Sequence, residues 1–300
     1  MYLFGVAKAL QEFELDKNAR VIGCSAGALT AAGLALRCDF DAIRDHVVKN
    51  IIPQAHASLA GYFRVRSYLR DTLRRHGELH RFEELNASQQ VTIVYTSLSS
   101  LKSRRATTFK SVEQITETLL ASCCATPIAG LPFKLNGEWV MDGCIFDFQP
   151  VYDDKTVTVS PFYFLGADIK PSVYVPMWWS LFPPGVSDIE WLFDLGYEDG
   201  LSKAVVFGAA AKLLISNIIM AILAVAMITL GCMVLLVGGL NQASTMASAD
   251  WQRCRSYMRS ITSLSLFLHS IPVIGSKIQI KRHEFLLEHS LVYRVAMHFV

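Results

Sequence analysis

The amino-acid sequence predicts an α/β fold over its first two hundred residues, followed by a membrane segment. Segments with helical spacing alternate with short runs rich in β-branched residues, as in helices that pack on a sheet. The motif Gly23-Cys24-Ser25-Ala26-Gly27 joins an apolar run to a segment typical of a helix. No charged residue occurs from Leu213 to Leu240. The 300 residues suffice for one or two domains with a sizeable core.

The individual elements follow from the spacing and the type of the residues. Ile43, Val47 and Val48 fall on one face of a helix, and Leu69 and Leu73 lie four residues apart. Val, Ile, Thr and Tyr favour strands, whereas proline favours loops. We therefore predict helices over residues 4–13, 28–36, 40–50, 68–76 and 111–122, strands over residues 20–23, 90–98, 138–142 and 157–164, and a loop over residues 171–184.

The G-x-S-x-G motif predicts a nucleophilic serine. A tight strand-to-helix turn pushes the Ser25 hydroxyl away from the backbone, and Gly23 and Gly27 avoid clashes within that turn. The helix that follows points free N–H groups at the site, so the Ala26 N–H is the predicted oxyanion donor. The alternative interpretation is that Ser25 is simply the small residue of a tight turn.

Further segments accompany this motif, and together they resemble the patatin-like phospholipase family over residues 1–205. The resemblance implies a patatin-like three-layer α/β/α sandwich that carries an acyl-hydrolase site. The segments are Gly5 to Leu10, the turn at Ser25, Ala121 to Pro127, Met141-Asp142-Gly143, and Phe193 to Gly200.

The resemblance also implies a Ser–Asp dyad without a histidine. Ser25 is then the nucleophile, and Asp142, which precedes Gly143, is the proton acceptor. A carboxylate serves as the base for a serine when burial and a short hydrogen bond adjust its proton affinity. The implied reaction is hydrolysis of a lipid ester, a phospholipid or an acylglycerol, through an acyl-enzyme and with no cofactor or metal. The alternative for Asp142 is an ordinary turn carboxylate.

Two positions differ from the family pattern. The chain starts at Met1, and residues 1–4 already resemble the inside of the family's first helix, whereas the family has a strand and a G-G-G-x-R-G loop upstream of that helix that supplies oxyanion donors. Loss of one such donor costs about a hundredfold or more in rate, so impaired activity is expected. The alternative function is therefore a patatin-like protein that binds lipid or a partner without turnover. Cys144 stands where the family usually has Gly or Ala.

Residues 213–240 predict a transmembrane helix, because the uncharged stretch exceeds the roughly 20 residues that span a bilayer. A buried core helix is the alternative, but such helices are seldom apolar on all sides for this length. Residues 241–300 form a predicted C-terminal tail, in which the apolar residues 261–275 are interrupted by serines, His269 and Pro272 and predict an interfacial or re-entrant segment. No signal peptide is visible, so we expect a single-pass protein with a cytosolic catalytic domain. The alternative is two membrane segments, which would place both ends of the chain in the cytosol.

Composition argues against other classes of site. The net charge of +2 gives no support for a nucleic-acid partner, and the seven cysteines contain no C-x-x-C pair, so we expect reduced thiols and no metal. Lys102, Arg104, Arg105 and Lys110 predict a basic loop that is either solvated or in contact with anionic headgroups.

An α/β-hydrolase with a Ser–Asp–His triad is a third possible function. The histidines after Asp142 all lie beyond the predicted membrane segment, so this reading is disfavoured. They are His269, His283, His289 and His298.

Overall fold

A seven-stranded mixed β-sheet organises the part of the chain that the structure describes. The computed structural model describes residues 1–204 and 222 with their side chains, and residues 296–299 as backbone. Among these residues, no helix is both long and apolar enough to cross a bilayer. The predicted membrane segment 213–240, apart from residue 222, and the apolar segment 261–275 lie outside the described residues.

The elements alternate along the chain as expected of an α/β fold. The helices are α1 (Tyr2–Glu12), α2 (Ala26–Ala35), α3 (Phe40–His46), α4 (Ile52–His56), α5 (Leu59–Tyr62), α6 (Val65–His76), α7 (Phe82–Ser88), α8 (Val112–Ser122) and α9 (residues 186–204). The strands are β1 (Arg20–Cys24), β2 (Val91–Ser97), β3 (Lys102–Ala106), β4 (Phe133–Leu135), β5 (Glu138–Met141), β6 (Val157–Val159) and β7 (Ala296–Phe299).

The strand order in the sheet is β4-β5-β2-β1-β7-β6, and β3 also pairs with β2. Strand β1 is parallel to β2 and to β7, and β6 is parallel to β7. The pairs β2–β3, β2–β5 and β4–β5 are antiparallel. Residues 296–299 of the predicted tail therefore contribute a strand beside β1, in the same compact unit as the described N-terminal residues.

The two faces of the sheet are covered differently. Val21 and Ile93 point toward the helices and share a core with Leu34 of α2 and Leu119 of α8. Alternate residues, such as Ile22 and Val94, point to the opposite face. Among the described residues, Cys144 and Tyr152 of the segment after β5 pack on that face. The predicted α/β class is confirmed, since helices pack on a sheet that is mixed. A helical layer on the second face remains a prediction.

Helices α1 and α9 cross at van der Waals distance through glycines. A Cβ atom added at Gly5 would lie 2.0 Å from the Phe193 carbonyl oxygen, and one added at Gly196 would lie 2.0 Å from the Tyr2 carbonyl oxygen. Because no side chain fits at either position, the two helices approach more closely than larger residues would permit. The segment Phe193 to Gly200, which carried part of the family resemblance, thus packs against the first helix.

Most of the predicted elements are confirmed, with three corrections. The predicted helix 40–50 continues through a π-helical turn (Val47–Ile51) into α4. The predicted strand 157–164 is wrong in length, because the chain turns back after Ser160 so that Ile169 bonds the Thr158 carbonyl. The predicted basic loop that begins at Lys102 is wrong as well, because Lys102–Ala106 is strand β3.

Candidate active site

Ser25 lies at the turn between β1 and α2. Its backbone has φ +51° and ψ −128°, a region that residues other than glycine rarely adopt. Gly23 is required at this turn, since an added Cβ would lie 2.3 Å from the Gly27 carbonyl oxygen. Gly27 itself is buried in the first turn of α2. The turn therefore holds a strained serine between two regular elements.

Asp142 follows β5, and its carboxylate faces Ser25. Ser25 Oγ donates a hydrogen bond of 2.9 Å to Asp142 Oδ2. The other carboxylate oxygen, Oδ1, accepts from the Cys144 N–H at 2.9 Å. The Asp142 N–H in turn donates to the Cys124 carbonyl at 3.1 Å. One carboxylate oxygen is thus fixed by the backbone, and the other is directed at the serine hydroxyl.

The environment of Asp142 alters its proton affinity. Only 5% of the residue is exposed, and burial raises the pKa of its carboxyl above the ordinary value of 3.8. The hydrogen bonds from the Cys144 N–H and from the Ser25 hydroxyl lower this pKa in part. A carboxylate with a raised pKa is a stronger base than an exposed aspartate, which suits it to accept a proton from an alcohol.

Gly143 permits the turn after Asp142 to lie close to the sheet. A Cβ added there would lie 2.2 Å from the Val94 carbonyl oxygen and 2.9 Å from the Cys24 Cβ atom. The Asp-Gly turn is therefore packed against the end of β1 and the middle of β2. This close approach places the carboxylate beside the serine turn.

Ser122 is a site residue that the sequence analysis did not single out. Its fully buried hydroxyl accepts from the Ser25 N–H at 2.9 Å and donates to the Val94 carbonyl at 2.5 Å. Two residues later, the Cys124 carbonyl accepts from the Asp142 N–H. The end of α8 thus holds the backbone of both Ser25 and Asp142. The available signal was the Ala121 to Pro127 segment, which carried part of the family resemblance without a stated role.

The predicted oxyanion donor also lies at the serine turn. Ala26 is the first residue of α2 and is exposed. In the described part of the chain its N–H has no backbone partner, as is general for the first N–H groups of a helix. The positive end of the helix dipole adds to the attraction for an anion at this point.

The described histidine side chains lie elsewhere. Among them, none contacts Ser25 or Asp142: His46 faces Asp71 and the ring of His76, His56 bonds the Pro183 carbonyl, and His80 lies beside Glu78. His298 lies on β7, whose side chains are outside the described part of the structure.

Comparison with known proteins identifies the family. The family model described as patatin-like phospholipase matches residues 1–153, about half of the chain, and this range contains Ser25, Ser122 and Asp142. The chain belongs to the patatin-like phospholipase family. The family that the sequence motifs indicated is thereby confirmed, and the mixed sheet with its helices fits a patatin-like fold.

One curated relative of this patatin-like protein comes from the mouse. The chain is 30% identical over 158 residues to a protein described as 1-acylglycerol-3-phosphate O-acyltransferase Pnpla3. The match covers 50% of this chain and 37% of the mouse protein. The patatin-like chain therefore spans little more than a third of the length of that relative.

Proposed function

We propose that this patatin-like protein is a lipid acyl hydrolase with a Ser25–Asp142 dyad. The observation that carries the proposal is the 2.9 Å hydrogen bond from Ser25 Oγ to Asp142 Oδ2 at a strained strand-to-helix turn. Membership of the patatin-like family supports a lipid ester as the substrate, either a phospholipid or an acylglycerol.

The proposed reaction has two halves. Ser25 Oγ attacks the ester carbonyl carbon while Asp142 Oδ2 takes the hydroxyl proton, and the Ala26 N–H donates to the oxyanion that forms. The alcohol then leaves with that proton, and Ser25 carries the acyl group. In the second half, water loses a proton to Asp142 and attacks the acyl-enzyme, which releases a fatty acid and restores both residues.

Acyl transfer is the second candidate, and the printed name of the mouse relative favours it. The first half of the reaction is the same. In the second half, the hydroxyl of a lysophospholipid attacks the acyl-enzyme in place of water, and the product is a diacyl lipid. The two candidates therefore differ in the acceptor, while the roles of Ser25 and Asp142 are common to both.

The test measures both products from one substrate. The full chain is incubated with vesicles of a phospholipid that carries a labelled acyl chain, or with an emulsion of a labelled triacylglycerol, in the presence and absence of 1-acylglycerol-3-phosphate. We expect labelled fatty acid from the wild type and none above background from Ser25→Ala. Labelled phosphatidic acid in place of fatty acid would favour acyl transfer. Vesicle binding by a folded wild type without either product would favour a protein that binds lipid without turnover.

We also propose that residues 213–240 attach the protein to a membrane, and that the apolar residues 261–275 form a second membrane segment that returns the chain to the cytosolic side. The support is an uncharged stretch longer than the roughly 20 residues that a span requires. A single span would separate strand β7 from strand β1, with which it pairs. We expect the full chain to stay in the membrane pellet after alkaline extraction, and deletion of residues 213–275 to release it. Release of the intact chain would contradict the anchor.

A further inference from the structure

Two cysteine thiols lie directly beside the proposed dyad. Cys24 precedes Ser25 in the chain, and Cys144 follows Asp142 by two residues. Their Sγ atoms are 2.8 Å apart, although the two residues are separated by 120 positions in the sequence. A disulfide bond has an S–S distance of about 2.05 Å, so less than an ångström of movement separates this pair from a covalent bond.

The two thiols differ in their access to solvent. Cys24 is fully buried, in an apolar cluster with Ile22 and Val94. Cys144 lies at the edge of that cluster and is half-buried. A small oxidant therefore reaches Cys144 first, and Cys24 is already in place as the second thiol.

We propose that Cys24 and Cys144 form an oxidative modification site, a disulfide whose closure inactivates the adjacent dyad. Formation of the bond draws together the residue next to Ser25 and the residue whose N–H holds Asp142 Oδ1. A misplacement of about 1 Å in a catalytic group costs on the order of a hundredfold in rate, so the smaller shift expected here should cost at least about tenfold. We therefore expect the disulfide form to lose most of its activity. This consequence rests on the proposed function, whereas formation of the bond does not.

The reaction balances with a peroxide as the oxidant. The Cys144 sulfur attacks one oxygen of hydrogen peroxide, the O–O bond breaks, and the leaving hydroxide takes a proton to become water. The Cys24 sulfur then attacks the resulting sulfenic acid, the S–O bond breaks, and a second water leaves. The two thiols lose two electrons and two protons, and peroxide gains both.

The local environment sets the conditions of the test. The contact with Cys24, together with burial, raises the pKa of the Cys144 thiol well above its ordinary value. The thiolate is the reactive form of a cysteine, so oxidation of Cys144 is slow relative to that of a cysteine with a lowered pKa. The experiment therefore uses excess hydrogen peroxide and a long incubation.

The direct test is a peptide cross-link, because its reading does not depend on activity. The purified full chain is treated with peroxide, its remaining thiols are alkylated, and trypsin is added. Cys24 lies alone in the peptide 21–37, and Cys144 lies alone in the peptide 135–155. We expect these two peptides to appear joined, with two hydrogens fewer than their sum, and to separate after reduction.

Variants show whether the pair is specific. Cys144→Ser and Cys24→Ser should each abolish the joined peptide, whereas Cys38→Ser and Cys124→Ser should retain it. Both of these control cysteines are buried, and the Cys124 Sγ contacts the Thr126 hydroxyl and the Leu131 carbonyl rather than the pair. Absence of the joined peptide in the oxidised wild type, or Cys144 recovered only as sulfinic acid, would overturn the proposal.

Activity is then compared before and after peroxide within each variant. We expect the wild type to lose activity at least tenfold with the cross-link and to regain it with dithiothreitol, and Cys144→Ser to keep its own activity. A cross-linked protein with unchanged activity would overturn the inactivation. A cross-link in a protein that hydrolyses no lipid in either state would contradict the proposed function and leave the disulfide standing.

Discussion

The turn at Ser25 and the turn at Asp142 meet at one hydrogen bond, but they are positioned in different ways. Ser25 lies between a strand and a ten-residue helix, and its strained backbone is fixed by these two neighbours in the chain. Asp142 follows a four-residue strand and precedes an irregular segment. It is held instead by distant groups, the Cys124 carbonyl and the sheet beneath Gly143. Ser25 is thus placed mainly by local structure, with one distant hydrogen bond from its N–H to the Ser122 hydroxyl, whereas Asp142 is placed by tertiary contacts.

Asp142→Asn removes the proposed proton acceptor and should give the largest effect on activity. An amide accepts a hydrogen bond but does not take the serine proton, and loss of a general base costs about 10²- to 10⁴-fold in rate. The measurement is release of fatty acid from vesicles under substrate-saturating conditions. An Asp142→Asn variant with activity within a few fold of the wild type would show that another group accepts the proton.

Gly23→Ala tests the local construction of the serine turn. The new methyl group would lie 2.3 Å from the Gly27 carbonyl oxygen, so the turn must shift, and we expect about a hundredfold loss of activity with about 1–3 kcal/mol of lost stability. Gly166→Ala is the matched control, because an added Cβ there meets no atom within 4 Å. Equal activities of the two variants would contradict the close packing at Gly23.

Ser122→Ala tests the link between the two turns. It leaves the Ser25 N–H and the Val94 carbonyl without their partner, and we expect about a tenfold fall in kcat together with about 1–3 kcal/mol of lost stability. The control is Thr118→Val on the same helix, where a buried hydroxyl bonds only the Gln114 carbonyl of its own helix. The control should lose stability without a change in kcat. A comparable fall in kcat in both variants would show a general packing effect.

The smallest expected effect is on stability. Asp142→Asn should stabilise the protein at neutral pH, whereas Gly23→Ala and Ser122→Ala should destabilise it. The pKa of Asp142 is raised by burial above 3.8, so the folded protein holds this proton more tightly than the unfolded chain does. Below pH 3.8 both states are protonated and burial of the ionised carboxylate costs nothing; as the pH rises through the folded pKa, stability is lost. Asp142→Asn should therefore have a higher Tm than the wild type at pH 7, and the difference should shrink toward pH 3. A lower Tm at pH 7 would contradict the burial cost.

The same division explains what could be predicted from the sequence. The serine turn and the main helices depend on neighbours in the chain, so the glycine spacing and the helical periodicity were enough to predict them. The Asp-Gly turn was found only through the family resemblance. The bond between Ser122 and the Ser25 N–H spans 97 residues, and its one signal was the Ala121 to Pro127 segment of the family resemblance, which gave Ser122 no role.

Two other features depended on contacts between distant residues. The cysteines were expected to be unpaired and reduced, yet the fold brings Cys24 and Cys144 together from the two turns. The basic residues after β2 were interpreted as a loop, because their charges gave no strand signal. In the structure Arg104 pairs with Glu138 and Arg105 with Asp147, so strand β3 is supported by partners that lie more than thirty positions away.

Labelling of Ser25 by a fluorophosphonate probe shows whether Asp142, held by its tertiary contacts, activates the serine at the strand-to-helix turn. The probe reacts with an activated serine and requires no knowledge of the lipid substrate. Labelling is located by mass spectrometry in the peptide 21–37, and Ser25→Ala serves as the control. We expect the wild type to be labelled at Ser25 and folded Asp142→Asn to react about a hundredfold more slowly. Equal rates in the wild type and Asp142→Asn, or a label that persists in Ser25→Ala, would contradict a Ser25–Asp142 dyad.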